Sequence, residues 1–146
     1  MATQVQTPVY LSSERRSPSL LRYALLADVA VEAVTGVALL IAAGPIAAFS
    51  GFDAAWMPVS GIVVLLYAAF IFYVANEKPI DSRKALLVAF LNIDGAIVSA
   101  LIVMGVIAVP LTQAGWWTMF IAVDVFALLG VAQVVGWWRG RSRLVV

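Results

Sequence analysis

Cysteine and histidine are both absent from this chain of 146 residues. Their absence excludes disulfide bonds and thiol redox chemistry, and it removes the usual ligands of zinc sites and of histidine-bound haem. No nucleotide-binding loop, nucleophile elbow or metal motif occurs in the sequence. We therefore expect no cofactor, no metal and no catalytic residues, and the sequence favours a protein that is not an enzyme.

Charged residues are also scarce, at 12% of the chain. No lysine lies inside an apolar run, so a retinal-type Schiff base has no attachment point. The nine lysine and arginine residues form no basic array with interleaved aromatic residues, which argues against nucleic acid as a partner.

Apolar residues are abundant, at 64% of the chain, a composition that points to a lipid bilayer as the surroundings. Four apolar segments of spanning length cover about residues 21–43, 54–75, 84–109 and 114–138. They do not alternate between polar and apolar residues, as the strands of a membrane barrel do. The predicted fold is all-α, a bundle of four transmembrane helices.

The polar stretches divide the rest of the chain. We expect a disordered cytoplasmic tail over residues 1–18, one transmembrane domain over 19–139 and a basic tail over 140–146. A cleaved signal peptide is the alternative at the N-terminus, but the run from Tyr23 to Ala43 is too long for one and contains two acids. Gly44-Pro45 and Pro110 are expected to end the first and third helices. The expected N-caps of the second, third and fourth helices are Asp53, Asp81 and Thr112.

The basic residues all flank the same ends of the four segments. They precede the first helix, lie between the second and third, or follow the fourth: Arg15, Arg16, Arg22, Lys78, Arg83, Lys84, Arg139, Arg141 and Arg143. The positive-inside rule therefore places both termini in the cytoplasm. Tryptophans at both ends of the segments, Trp56, Trp116 and Trp117 outside and Trp137 and Trp138 inside, agree with aromatic belts.

Four carboxylic acids fall inside the predicted helices, without any base among them: Asp28, Glu32, Asp94 and Asp124. Counted from the basic ends at about 1.5 Å per residue, they lie about 9, 15, 15 and 22 Å deep. Because a charged acid at such depth is costly, we expect these acids to face the bundle interior, to pair or to remain protonated, and their depths form a ladder across the core. Thr35 continues the face of Asp28 and Glu32, and Asn92 and Gln133 are the supporting polar residues on the third and fourth helices.

Two interpretations of these acids remain open. A ladder of carboxyl groups is suited to carrying protons or a cation, or to holding the cationic head of an amphipathic ligand. Alternatively, the acids hydrogen-bond between helices and contribute only packing, at about 0.5–2 kcal/mol per bond.

Polar residues point in opposite directions on the third and fourth helices. Asn92 and Asp94 are about 200° apart on a helical wheel, and Asp124 and Gln133 are about half a turn apart. A lone bundle cannot turn all of them inward, so we expect a homo-oligomer or a subunit of a larger membrane complex. On the fourth helix we expect the face of Gln133 to make this contact and Asp124 to belong to the other face.

From Arg22 to Arg139 the sequence resembles a group of small bacterial four-helix integral membrane proteins of uncharacterised function. The resemblance depends on the segment Arg22 to Asp28 leading to Thr35-Gly36, on Asn92, and on Ala132-Gln133. More broadly, the sequence is similar to four-helix membrane families such as the DoxX-like proteins. The resemblance implies this topology and a bacterial inner membrane, and it implies no substrate; the group has an apolar residue at the position of Asp94.

The sequence therefore predicts a multi-pass inner-membrane protein with a buried acidic seam that binds or transports a proton, a cation or an amphipathic ligand. The alternative is a non-catalytic accessory or scaffolding subunit of a membrane complex. An enzyme acting on lipid or quinone ranks last.

Overall fold

The computed structural model describes residues 20–141, which form five helices and no strand. They are α1 (Leu20–Ile41), α2 (Ala43–Ser50), α3 (Met57–Asn76), α4 (Ser82–Val103) and α5 (Gln113–Arg141). Four of them, α1, α3, α4 and α5, are long and apolar enough to cross a membrane. The predicted all-α, four-span fold is confirmed. The N-terminal tail and most of the C-terminal tail lie outside the described residues.

The short helix α2 was not expected. Gly44-Pro45 was predicted to end the first helix, but α1 ends at Ile41 and both residues belong to the first turn of α2. Proline is tolerated there because the first amide groups of a helix have no partner within it. The chain therefore bends at Ala42 and begins a new helix at Ala43.

The end of α4 also differs from the expectation. The segment was predicted to run to residue 109 and to be closed by Pro110, but α4 ends at Val103. Gly105 has a φ of 74°, a left-handed conformation that closes a helix and that glycine adopts at little cost. The amide groups of Gly105 and Val106 donate to the carbonyl oxygens of Ile102 and Leu101.

Two of the three expected N-caps are confirmed. Asp81 accepts a hydrogen bond from the Arg83 amide at 2.8 Å, and Thr112 accepts one from the Gly115 amide at 3.0 Å. Asp53 instead caps the turn before α3, where it accepts from the Ala55 amide at 2.9 Å.

The helices pack unevenly. α1 lies along both α3 and α5, and α4 lies along α5, whereas α3 and α4 touch at few points. Small residues allow the close crossings: a Cβ added to Gly36 would lie 3.0 Å from the Gly61 carbonyl oxygen, and one added to Gly136 would lie 2.6 Å from the Leu21 nitrogen. The outward surfaces of the four spans are predominantly apolar.

A contact at the end away from the basic residues joins α2 to the start of α5. The Thr112 amide donates to the Ser50 carbonyl oxygen at 3.0 Å, and the Thr112 hydroxyl donates to the Phe49 carbonyl oxygen. Gly115 lies so close that an added Cβ would be 1.9 Å from the Ser50 carbonyl oxygen. We call this contact the α2–α5 junction, and it fixes the position of α5 relative to α2.

Candidate functional site

Three of the polar residues singled out from the sequence meet inside the bundle, one each from α1, α4 and α5. The Asp28 Oδ2 atom accepts a hydrogen bond from Asn92 Nδ2 at 2.6 Å and another from Gln133 Nε2 at 2.7 Å. Asn92 Nδ2 also donates to Gln133 Oε1 at 3.2 Å. The exposed fractions of Asp28, Asn92 and Gln133 are 0%, 1% and 0%. We call this group the polar triad.

Helical spacing explains why these residues meet. The buried face of α1 repeats every three or four residues, and the residues on it are Leu21, Ala24, Leu25, Asp28, Glu32 and Gly36. Opposite it, small residues let α4 and α5 approach closely. A Cβ added to Gly130 would lie 3.5 Å from the Asn92 Cβ and 3.3 Å from the Ala89 carbonyl oxygen.

Two oxygen atoms of the polar triad have no hydrogen-bond partner among residues 20–141. They are Asp28 Oδ1 and Asn92 Oδ1, and both are fully buried. Both amide donors on Asp28 reach its other oxygen. A protonated carboxyl group carries one O–H donor. The two oxygen atoms without a partner are both acceptors. One proton on Asp28 Oδ1 would therefore turn that atom into a donor.

Glu32 lies one helical turn beyond Asp28 on the same face of α1, with 5% of its surface exposed. Tyr67 of α3 is partly buried and packs against the apolar core that includes Leu25. The Tyr67 hydroxyl donates to the Val88 carbonyl oxygen at 3.3 Å. From the sequence, the helix that carries Tyr67 is expected only to pack, because it has no charged residue, and the Tyr67 hydroxyl is the signal that could have placed it near the site.

The other expected site residues do not join this group. Asp94, Asp124 and Thr35 are all exposed on the outside of the bundle, so the four acids do not form a ladder through the interior. The reason is the angle around each helix: Asp94 lies about 200° from Asn92, and Asp124 about 180° from Gln133. The expectation that Gln133 lies at an outer contact and Asp124 on the other face is wrong, because Gln133 is the buried residue of the two. Only the pair on α1 faces inward.

A second polar group lies at the basic end of the bundle. Lys84 of α4 forms an ion pair with Glu77, and its ammonium lies 4.7 Å from the centre of the Tyr73 ring. The Arg22 guanidinium of α1 donates to the Glu77 carbonyl oxygen at 2.8 Å. The hydrogen bond from Lys84 lowers the pKa of the Glu77 carboxyl below its ordinary value. This group connects α1, the α3–α4 loop and α4.

No arrangement for a bound metal is present in the described part of the chain, where no three acidic side chains come together. A shallow hollow at the opposite end of the molecule, beside Val103, Trp116 and Trp117, contains no carboxyl group. The polar triad with Glu32 is therefore the candidate site.

The fold and this site define the class of protein as a helical membrane bundle with an acid and two amides in its core. Comparison of the chain with protein-family models, with curated proteins and with solved structures found no match. The resemblance to small four-helix membrane proteins stays a prediction.

Proposed function

We propose that the protein binds protons at Asp28 and passes them along α1 through Glu32, in the inner membrane of a bacterium. The observation that carries this proposal is the pair of buried, unpartnered oxygen atoms on Asp28 and Asn92. A proton taken up on Asp28 Oδ1 would make that atom a donor, and Asn92 Oδ1 is the acceptor of the triad that lacks one, while Asn92 Nδ2 continues to donate to Asp28 Oδ2. The acid and the amide would then form a cyclic pair in which each group donates once and accepts once.

Close packing favours a proton over a larger ligand. Asp28, Gln133 and the neighbouring Leu25 have no exposed surface. A hard metal cation needs about six oxygen ligands, and an amphipathic molecule needs a cavity of about 300 Å³ or more. A proton needs no cavity, only acceptors whose charged and neutral forms are close in energy.

Glu32 extends the path toward the end of the bundle that carries no basic residues. It lies four residues, or about 6 Å, further along α1 than Asp28, and its small exposed fraction offers contact with the surroundings that Asp28 lacks. A proton that moves from Asp28 Oδ1 to the Glu32 carboxylate would leave Asp28 ionised and Glu32 neutral. The net charge of the two acids would therefore stay constant during the transfer.

A test uses purified protein in liposomes that contain a pH-sensitive dye, with a potassium diffusion potential to drive proton entry. We expect Asp28→Asn and Glu32→Gln each to lower the protein-dependent flux by about tenfold or more, equivalent to a barrier higher by about 1.4 kcal/mol. Asp94→Asn removes an intramembrane acid outside the site and should leave the flux unchanged. The exchange variant Asp28→Asn with Asn92→Asp retains one acid and one amide in the pair and should recover part of the flux.

The proton path is refuted if folded wild-type protein gives no more proton flux than empty liposomes. The polar triad would then be an interhelical contact, as in the accessory or scaffolding subunit that is our second candidate. The hydrogen bonds that join α1, α4 and α5 through Asp28 favour that candidate.

We also propose that both termini lie in the cytoplasm. All nine lysine and arginine residues flank the same ends of the four spans, and cytoplasmic ends of membrane helices carry such an excess. Single cysteines can be introduced without background because the chain has none. An impermeant maleimide on intact cells should label cysteines at Asp53 and Gln113, and should label those at Glu14 and Asp81 only after the membrane is permeabilised. Labelling of Asp81 in intact cells would refute this orientation.

A further inference from the structure

Two carboxyl groups lie on the outside of the bundle near the middle of their spans. Asp94 is twelve residues from the start of α4 and nine from its end, and Asp124 is eleven residues from the start of α5. Each therefore lies more than about 13 Å from the nearer end of its helix. Both side chains are exposed, and neither makes a hydrogen bond or an ion pair with any residue in the described range 20–141.

The residues around each acid are large, apolar and exposed, as on a surface that contacts lipid acyl chains. Phe90 and Ile97 flank Asp94 on the exposed face of α4, and Ile121 and Leu128 flank Asp124 on that of α5. We call these two surfaces the acidic outer faces. An ionised acid at the centre of a membrane helix is unfavourable, and such residues almost always pair or face a protein interior. Lipid alone is therefore a poor neighbour for either face.

The distribution of bases decides between a second copy and another protein. Every lysine and arginine of this chain flanks the same ends of the spans, the chain has no histidine, and no base lies in the middle of any span. A second copy therefore brings no cation to the depth of Asp94 or Asp124. Opposite charges paired in a medium of low dielectric attract strongly, so a base at that depth would stabilise the ionised form of either acid.

We propose that the acidic outer faces bind transmembrane helices of a different protein, each with a lysine or arginine near the middle of the bilayer. The flanking apolar side chains supply the packing surface, and the carboxylate selects the helix that carries the base. This proposal stands apart from the proton path, because it depends on the outside of α4 and α5 and not on the polar triad.

The difference in depth between Asp94 and Asp124 follows from the packing of α4 on α5. A Cβ added to Gly95 would lie 3.4 Å from the Phe126 ring, and one added to Gly130 would lie 2.8 Å from the Ile93 side chain. In this antiparallel pair, residue 94 is level with about residue 128. Asp124 is therefore about 6 Å further than Asp94 from the basic ends.

The test uses full-length protein in liposomes with a synthetic leucine-alanine helix of spanning length that carries one central lysine. Its twin, with leucine at that position, is the matched peptide. Energy transfer between labelled peptide and labelled protein should show binding of the lysine peptide about tenfold tighter than that of the twin. The variant with both Asp94→Asn and Asp124→Asn should abolish that preference, whereas Asp53→Asn, which removes an exposed acid outside the spans, should preserve it.

Two results would overturn the proposal. One is equal binding of the two peptides by the wild-type protein. The other is self-association of the wild-type protein, without peptide, that the paired Asp94→Asn and Asp124→Asn changes abolish, because a second copy would then occupy the faces. Proton flux is measured without any peptide, so failure of either proposal leaves the other testable.

Discussion

Substitution of Gly115 with alanine is expected to lower the free energy of unfolding by about 3 kcal/mol, the upper end of the range for overpacked sites. The added Cβ would lie 1.9 Å from the Ser50 carbonyl oxygen and 2.9 Å from the Ser50 Cα. Both neighbours are backbone atoms, so no side chain can rotate to make room. α5 must move away from α2, which separates the Thr112 amide from the Ser50 carbonyl oxygen at the α2–α5 junction.

Unfolding in mixed micelles, followed through the fluorescence of the adjacent Trp116 and Trp117, measures this effect. Gly44→Ala is the matched control, since it makes the same change within α2 where nothing lies within 4 Å of the added Cβ. It should be neutral or slightly stabilising, because alanine favours a helix more than glycine does. If the Gly115→Ala protein has the same free energy of unfolding as the Gly44→Ala protein, α2 and α5 do not approach each other this closely.

Substitution of Asn92 with leucine is expected to lower the free energy of unfolding by about 2 kcal/mol. It leaves Asp28 Oδ2 with Gln133 as its remaining donor within the polar triad, and it removes the Asn92 donor from Gln133 Oε1. Because all three residues are buried, water cannot replace the lost hydrogen bonds. α4 would then be joined to α1 and α5 by apolar packing alone at this depth.

Asn76→Leu serves as the control for this second substitution. Asn76 is exposed at the end of α3, and within the described residues 20–141 its Nδ2 donates only to the Phe72 carbonyl oxygen of its own helix. The same unfolding measurement should show a change within about 0.5 kcal/mol for this surface position. Equal stability of the Asn92→Leu and wild-type proteins would mean that the polar triad does not hold the helices together.

The four spans could be predicted from the sequence because each is a long apolar run between polar residues, a signal that does not depend on tertiary contacts. The breaks inside those runs could not. Gly44-Pro45 is typical of a helix end because proline interrupts a helix, but here both residues lie in the first turn of α2, which begins after Ala42. Likewise, Gly105 ends α4 within an apolar stretch, where hydropathy gives no sign of a boundary.

The candidate site could be predicted in part. Helical spacing placed Asp28 and Glu32 on one face and separated Asn92 from Asp94, and the structure agrees with both inferences. Spacing alone does not say which face of α4 or α5 is buried. That choice depends on the small residues that let α4 approach α5, such as Gly130, which lies against Asn92 and not against Asp94.

The hydrogen bond between Gln133 and Asp28 joins residues that are 105 positions apart in the chain. At about 5–20 residues per second during synthesis, Gln133 follows Asp28 by roughly 5 to 20 seconds. For that interval Asp28 of α1 is without its amide donor from α5. The helices α3 and α4 also arrive before α5, yet they touch each other at few points. α5 is thus the helix against which both α1 and α4 pack, and the bundle closes only after α5 has been synthesised.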